Sequence, residues 1–328
     1  MHISSTAISR RAALAGTAAL IAAPAFSEEC RIGPAPHEKG PLVWVNMDQV
    51  ELDAAYDQSF YAPLLKQSLQ RYASASRTAR AHLGEPQRVA YGPTEPEKLD
   101  IYRTKRPNAP IFVFIHGGSW LGGESKDYGF PAELFVNAGA NYVALDFIAV
   151  KEAGGDIGVM ADQVRRAIAW AYKNAEQFGG DRNKLYVGGH SSGGHLCGIA
   201  SVTDWPSLGV PTNGIKGWMC MSGMFDMKPV RLSKRSSFVK FTDAMEDAMS
   251  SQRHLAKIQA PVVLTYGTNE TPEFQRQTRD FAAALKAAGK KVELTEAPDY
   301  NHFEMCESLG NPFGPNGRAA LKLLDLHA

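Results

Sequence analysis

The sequence predicts an α/β domain in which a mostly parallel eight-stranded sheet is flanked by helices. Short apolar runs alternate with segments of helical periodicity along most of the 328 residues. That is the pattern of strands buried on both faces and joined by helical crossovers. A second observation is local. The run Val187-Gly188-Gly189-His190-Ser191-Ser192-Gly193-Gly194-His195 follows a strand-like stretch and precedes an apolar helix. It sets Ser191 on a sharp strand-to-helix turn. Composition agrees with a soluble globular chain, at 44% hydrophobic and 21% charged residues. A net charge of +1 offers no basic face for nucleic acid. There is no like-charge block, low-complexity run or internal repeat.

Taken in order, Ser9-Arg10-Arg11 precede an acid-free, alanine-rich stretch from Ala12 to Ala25 that ends in Ala23-Pro24-Ala25. This is the layout of a signal peptide over residues 1–25 with an A-x-A cleavage site, and the paired arginines suggest twin-arginine export. The apolar run is too short to span a bilayer stably. The expected mature chain therefore begins near Phe26, in a bacterial periplasm or outside the cell. Residues 26–328 read as a single domain, with a helical extension over 52–83. Strands are expected at Gln87–Tyr91, Leu99–Arg103, Ile111–Ile115, Tyr142–Phe147, Leu185–Gly188, Ile215–Met221, Val262–Tyr266 and Val292–Glu296. Between them, Ile157–Phe178 carries apolar residues at Val164, Ile168, Ala171 and Tyr172. Glu273–Ala288 follows the start signal Thr271-Pro272 and stops at Gly289. Residues 227–259 form a helical insertion between the sixth and seventh strands, readable as a cap over a site or as a helix pair packed on the body.

The chemistry-bearing residues cluster after strands. Gly189 and Gly193 flank Ser191 in G-x-S-x-G spacing, whereas Ser192 fails that spacing because His190 stands two residues before it. A serine so placed is a candidate nucleophile. The third strand runs into His116-Gly117-Gly118-Ser119-Trp120, where consecutive glycines free the backbone N–H groups to face a ligand. The N–H groups of Gly117, Gly118 and Ser192 are candidate oxyanion donors, and His116 reads as a ring that holds the loop. His302, just after the last strand, is the candidate base. His190 reads as facing the wrong way round the turn, and His195, His254, His37 and His82 are worse placed. Glu270, after the seventh strand, is the candidate acid that orients His302, with Asp226 after the sixth strand as the alternative. Trp120, Phe147 and Trp205 are candidate pocket residues, or else core aromatics. Of four cysteines, Cys197 and Cys220 read as buried, while Cys30 and Cys306 lie in loop-like segments and could pair in an oxidising compartment. No C-x-x-C or metal-spaced His/Cys cluster occurs, and neither a metal nor an organic cofactor is expected.

These motifs resemble the α/β-hydrolase superfamily, and within it the metal-independent kynurenine formamidases (arylformamidases) and related H-G-G-x-W esterases. The resemblance rests on His116-Gly117-Gly118-Ser119-Trp120, Ala161-Asp162-Gln163-Val164-Arg165-Arg166-Ala167, Thr203-Asp204-Trp205-Pro206 and Ser222-Gly223-Met224-Phe225-Asp226. Pro272-Glu273-Phe274-Gln275-Arg276-Gln277, Asn301-His302-Phe303, Tyr91-Gly92 and Leu99-Asp100-Ile101-Tyr102 extend it, so that it covers Ala54 to Leu309. It implies Ser191 as nucleophile, His302 as base, the carboxylate after the seventh strand as third member, and oxyanion donors from Gly117, Gly118 and Ser192. Two features depart from the family. Glu270 stands where Asp is usual, so a shifted loop must accommodate its longer arm, and an export signal is out of place for a tryptophan-catabolic enzyme.

The expected function is a serine hydrolase that cleaves carboxylic esters, small or of aromatic, xenobiotic type, through an acyl-enzyme. Arylformamidase or other amidase activity is the alternative, and a non-catalytic binding protein on a hydrolase fold the minor one. The sequence shows no arginine or lysine signature for a charged substrate. The expected partner is a small-molecule ester or amide, with no nucleic acid and no stable membrane insertion; a homodimer is left open.

Overall fold

The computed structural model describes residues 33–327. The segment read as a signal peptide, and Cys30, lie outside them. Eight strands form one sheet: β1 (Gln87–Ala90), β2 (Lys98–Tyr102), β3 (Ala109–Ile115), β4 (Asn141–Leu145), β5 (Gly180–His190), β6 (Ile215–Met221), β7 (Val262–Gly267) and β8 (Val292–Ala297). Their spatial order is β1-β2-β4-β3-β5-β6-β7-β8. The pairs β1–β2 and β2–β4 are antiparallel, and every later pair is parallel. Each strand falls where the apolar runs predict it. This is the α/β-hydrolase fold.

The continuous apolar character of β3 follows from covering both faces of the sheet. Ile111, Val113 and Ile115 join one core cluster, while Phe112 and Phe114 point to the other. Each such fully buried side chain contributes about 1.5–3 kcal/mol relative to exposure.

The helices are α1 (Gln49–Ala55), α2 (Leu65–Leu83), α3 (Ala132–Asn137), α4 (Ile157–Lys173), α5 (Ser192–Ser201), α6 (Met227–Leu232), α7 (Asp243–Ala248), α8 (Pro272–Ala287), α9 (His302–Glu307) and α10 (Pro315–Leu323). Helix α4 ends five residues earlier than its periodicity predicts and continues as a 3₁₀ turn over Ala175–Phe178. The stretch 227–259 holds the two short helices α6 and α7 together with three 3₁₀ turns. Cys306, expected in a loop, lies on α9 and is wholly buried.

Among the described residues no helix is long and apolar enough to cross a membrane. Because β3 and β5–β8 all run the same way, the turns that leave their C-terminal ends share one edge of the sheet, where ligands of open α/β sheets bind.

Candidate functional site

The turn at Ser191 is built by close packing that only glycine permits. Ser191 sits at φ 60°, ψ −124°, an unfavourable conformation for a residue with a side chain. It holds because the arms on either side of it touch. A Cβ on Gly189 would lie 2.2 Å from the Gly193 carbonyl oxygen, and one on Gly193 would lie 2.1 Å from that of Ile115. The turn is further pinned by the Ser191 N–H, which donates to the Met221 carbonyl at 2.9 Å.

Three side chains from three turns meet in a line. His302 Nε2 is 2.8 Å from Ser191 Oγ, and His302 Nδ1 is 2.7 Å from Glu270 Oε2. With Nδ1–H donating to the carboxylate, Nε2 is left free to accept the serine proton. All three are nearly dry, with exposures of 6% for Ser191, 2% for His302 and 1% for Glu270. The other carboxylate oxygen of Glu270 accepts from Ser222 Oγ at 2.7 Å and from the Gly267 N–H at 2.8 Å. The turn from Gly267 to Glu270 thus folds the side chain back toward the end of β7, which absorbs the extra methylene of glutamate.

His302 is the first residue of α9. Asn301 caps that helix, its side chain accepting from the N–H groups of Phe303 and Glu304 in a reciprocal box with Glu304. The imidazole is walled edge-on by Phe274 and Phe303, at centroid separations of 5.0 and 5.3 Å.

His190 has a role that the sequence reading did not give it. Its ring lies 4.6 Å from that of His302, and its Nε2–H donates to the His302 carbonyl at 2.8 Å. Burial, with His302 alongside, pushes its pKa well below the usual histidine value, so the ring is neutral. Its position next to Ser191 is a signal of proximity, but spacing alone does not say which way the ring turns.

Opposite the line stands the loop after β3. Among the described residues the N–H groups of Gly117, Gly118 and Ser192 have no backbone acceptor. A Cβ on Gly117 would come within 3.0 Å of Ser191 Cβ, and Gly118 has a φ of +123° that favours glycine. The backbone therefore passes against the serine with its donors unengaged. His116 holds this loop: its Nδ1 contacts the Gly117 carbonyl at 2.7 Å, and its ring is stacked between Tyr128 and Phe147 at 5.3 and 4.4 Å. Burial lowers its pKa. The Ser192 hydroxyl accepts from the Trp120 N–H at 3.2 Å.

Ser191 and His302 open into a cavity of about 410 Å³. One wall comes from the N-terminal extension (Tyr56, Leu65, Leu69 and Tyr72) and another from the insertion (Lys234, Arg235 and Phe238). The part played by the extension was not legible in the sequence, because it depends on contacts more than a hundred residues apart. The two walls are clasped together. The Lys234 N–H donates to Asp53 Oδ1 at 2.6 Å, Gln49 Nε2 donates to the Leu232 carbonyl at 3.0 Å, and Lys234 Nζ pairs with Asp57 at 2.5 Å.

The three aromatic residues expected in the pocket are elsewhere. Trp120 is 1% exposed and packed in the core, because its backbone turns at φ 64° and carries the indole inward. Phe147 is used up in stacking on His116. Trp205 stacks on Trp218 and lines a separate cavity of about 330 Å³ beside Ile215, at the start of β6 and so away from the serine. Asp226 is not near His302 in any hydrogen bond; it caps α6 through the Lys228 N–H and pairs with Arg253 at 3.0 Å. Two cations that no motif in the sequence marked, Lys234 and Arg235, line the cavity. Arg235 is 4% exposed, donates Nη2–H to the Tyr56 carbonyl at 3.0 Å, and has its guanidinium 5.2 Å from the centre of the Trp120 ring. Among the described residues no group of three or more His, Cys, Asp or Glu side chains is arranged to hold a metal ion.

Comparison with known proteins agrees with this architecture. The BD-FAE family model matches residues 99–285. The chain is similar to the kynurenine formamidase of Danio rerio, with 30% identity over 280 residues, covering 81% of this chain and 93% of that one. Esterase LipC of Mycobacterium tuberculosis is 28% identical over 269 residues, covering 73% of this chain and 65% of its own. Among solved structures, a putative thioesterase from Silicibacter sp. superposes with a TM-score of 0.71 at 21% identity, covering 81% of this chain and 97% of that one. The Est2 esterase of Thermogutta terrifontis does so with a TM-score of 0.60 at 19% identity, covering 74% and 91%. The chain belongs to the BD-FAE family of α/β-hydrolases and is a homologue of the kynurenine formamidases.

Proposed function

We propose that this protein hydrolyses carboxylic esters with small or aromatic groups, through an acyl-enzyme on Ser191. That it is a hydrolase of ester or amide bonds follows from its kinship with esterases and formamidases. The observation that carries the finer reading is the line from Ser191 Oγ through His302 to Glu270, with spacings of 2.8 and 2.7 Å at the floor of a cavity. In this reading Ser191 Oγ attacks the substrate carbonyl carbon while its proton passes to His302 Nε2. The carbonyl electrons move onto the oxygen, which the N–H groups of Gly117, Gly118 and Ser192 stabilise. As the carbon–leaving-group bond breaks, His302 returns the proton to the departing alkoxide or amine. Water then attacks the acyl-enzyme, with His302 again taking and returning a proton. The Glu270 carboxylate stabilises the imidazolium.

Leu65, Leu69 and Phe238, together with the rings of Tyr72, Tyr128 and Phe303, give the cavity an apolar lining suited to an aromatic ring. Aryl formamide hydrolysis is the second reading, favoured by the 30% identity to the kynurenine formamidase of Danio rerio. Parallel rates on short aryl esters and aryl formamides decide between the two. Ser191→Ala and a covalent serine probe test both at once: hydrolysis retained in the variant, or an intact protein that fails to label at Ser191, rules out the acyl-enzyme. The site is proposed to work outside the cytoplasm, on the strength of Ser9-Arg10-Arg11 and the apolar stretch after them.

A further inference from the structure

The cavity contains a cation that the proposed reaction does not use. Arg235 comes from the insertion, lines the same cavity as Ser191 and His302, and is almost wholly buried. Of its donors, Nη2–H is satisfied by the Tyr56 carbonyl, while Nε and Nη1 are buried without an acceptor. Among the described residues no carboxylate lies within ion-pair distance of it. Asp57, on the same side of the cavity, is paired with Lys234. The cavity lining therefore carries one unmatched positive charge.

A buried guanidinium is normally paired and fully hydrogen-bonded, since burying a lone charge is costly. The faces of Trp120 and Tyr56, at 5.2 and 6.0 Å from the guanidinium carbon, compensate part of that cost by cation–π attraction. They supply no acceptor for the two idle donors. Burial lowers the pKa of Arg235 to about 10, so the group is still a cation at neutral pH. A planar fork with free N–H groups beside an aromatic lining is the chemistry that recognises a carboxylate.

We infer that Arg235 anchors an ionised carboxylate of the substrate, and hence that the preferred esters or amides carry a second, anionic group besides the bond that is cleaved. The inference rests on the serine-hydrolase reading of the same cavity and narrows its substrate class. The anion meets the unmatched charge of Arg235, so its contribution falls mainly on KM.

The test uses the full-length protein and two pairs of matched esters. One pair places the charge on the acyl side, the 4-nitrophenyl monoester of glutaric acid against that of glutaramic acid. The other places it on the leaving group, the acetate of 4-hydroxybenzoate against that of 4-hydroxybenzamide. In at least one pair the carboxylate should exceed its carboxamide twin in kcat/KM by about tenfold or more, the worth of a charged hydrogen bond. Arg235→Gln should bring that ratio close to unity, while Lys234→Gln should keep it. Equal rates within both pairs in the wild type overturn the inference, as does a preference that survives Arg235→Gln. If Arg235→Gln does not fold, a preference lost in Lys234→Gln overturns it, and one kept there supports it. The outcomes separate from those of the parent reading. A Ser191→Ala variant inactive on all four esters, with no charge preference in the wild type, removes the anion site and leaves the serine hydrolase standing.

Discussion

The carboxylate of Glu270 is held by two donors on one oxygen, the Ser222 hydroxyl and the Gly267 N–H, and turns its other oxygen to His302 at 2.7 Å. A carboxylate fixed this firmly keeps the imidazole in a single tautomer. Glu270→Gln should therefore lower kcat by about three to four orders of magnitude while the fold persists. Asp226→Asn should leave kcat within a few-fold and lower the melting temperature, because Asp226 serves only as a helix cap and an Arg253 partner. Steady-state kinetics on both variants decide the assignment, and a crippled Asp226→Asn with an active Glu270→Gln would reverse it.

Ser222→Ala probes the support behind that acid. It removes one donor and lets the carboxylate turn, so kcat should fall about tenfold with KM little changed. A loss as large as that of Glu270→Gln would mean that Ser222 does more than hold the carboxylate.

Acid should unfold the protein by way of its buried histidines. Burial depresses His116 and His190, and brings His195 to about 4. Unfolded histidine titrates near 6.5, so below that pH the unfolded chain binds protons that the folded one refuses. Stability is complete above the unfolded value and falls as pH drops toward the folded ones, by about 1.4 kcal/mol per pH unit for each histidine. Urea midpoints measured between pH 7.5 and 4.5 should show this slope. His195→Gln, which keeps a donor for the Met249 carbonyl, should flatten it by one proton. An unchanged slope would assign the acid sensitivity elsewhere.

Trp205 and Phe238 separate core from pocket. Trp205→Ala should cost about 3–5 kcal/mol of stability and leave kcat/KM of the folded enzyme unchanged, since its cavity lies away from the serine. Phe238→Ala should raise KM for aryl esters several-fold with a smaller stability loss. Chemical denaturation and kinetics on the pair are enough, and a KM effect from Trp205 would return it to the pocket.

The sheet was legible because each of its strands is written locally. The Ile111–Ile115 run must be apolar throughout to serve two cores, and the glycines around Ser191 are demanded by carbonyl oxygens about 2 Å from where a Cβ would be. Ser191, His302 and Glu270 were legible for the same reason, since each follows a strand whose end fixes its place. The pocket was not. Whether Trp120 faces inward or outward depends on a single backbone turn at φ 64°. The walls come from residues such as Tyr56 and Arg235, which meet only after the chain has folded. Ser222 and His190 stood in plain sight next to motif residues, but a hydroxyl or ring beside a motif has no direction until its neighbours are placed.

The tie between Tyr56 and Glu273, a hydrogen bond of 2.9 Å spanning 217 positions, fastens the N-terminal extension to helix α8. Tyr72 reinforces it by donating to the carbonyl of Phe303, one residue past His302. During synthesis this wall emerges early and can pack on Tyr128 and Phe130, whereas the groups that Tyr56 and Tyr72 bond to, Glu273 and Phe303, emerge late. A nascent chain that already displays Ser191 still lacks Glu270 and His302, the partners proposed for it. In the proposed reading, a chain that stops between Ser191 and His302 therefore carries the nucleophile without its base.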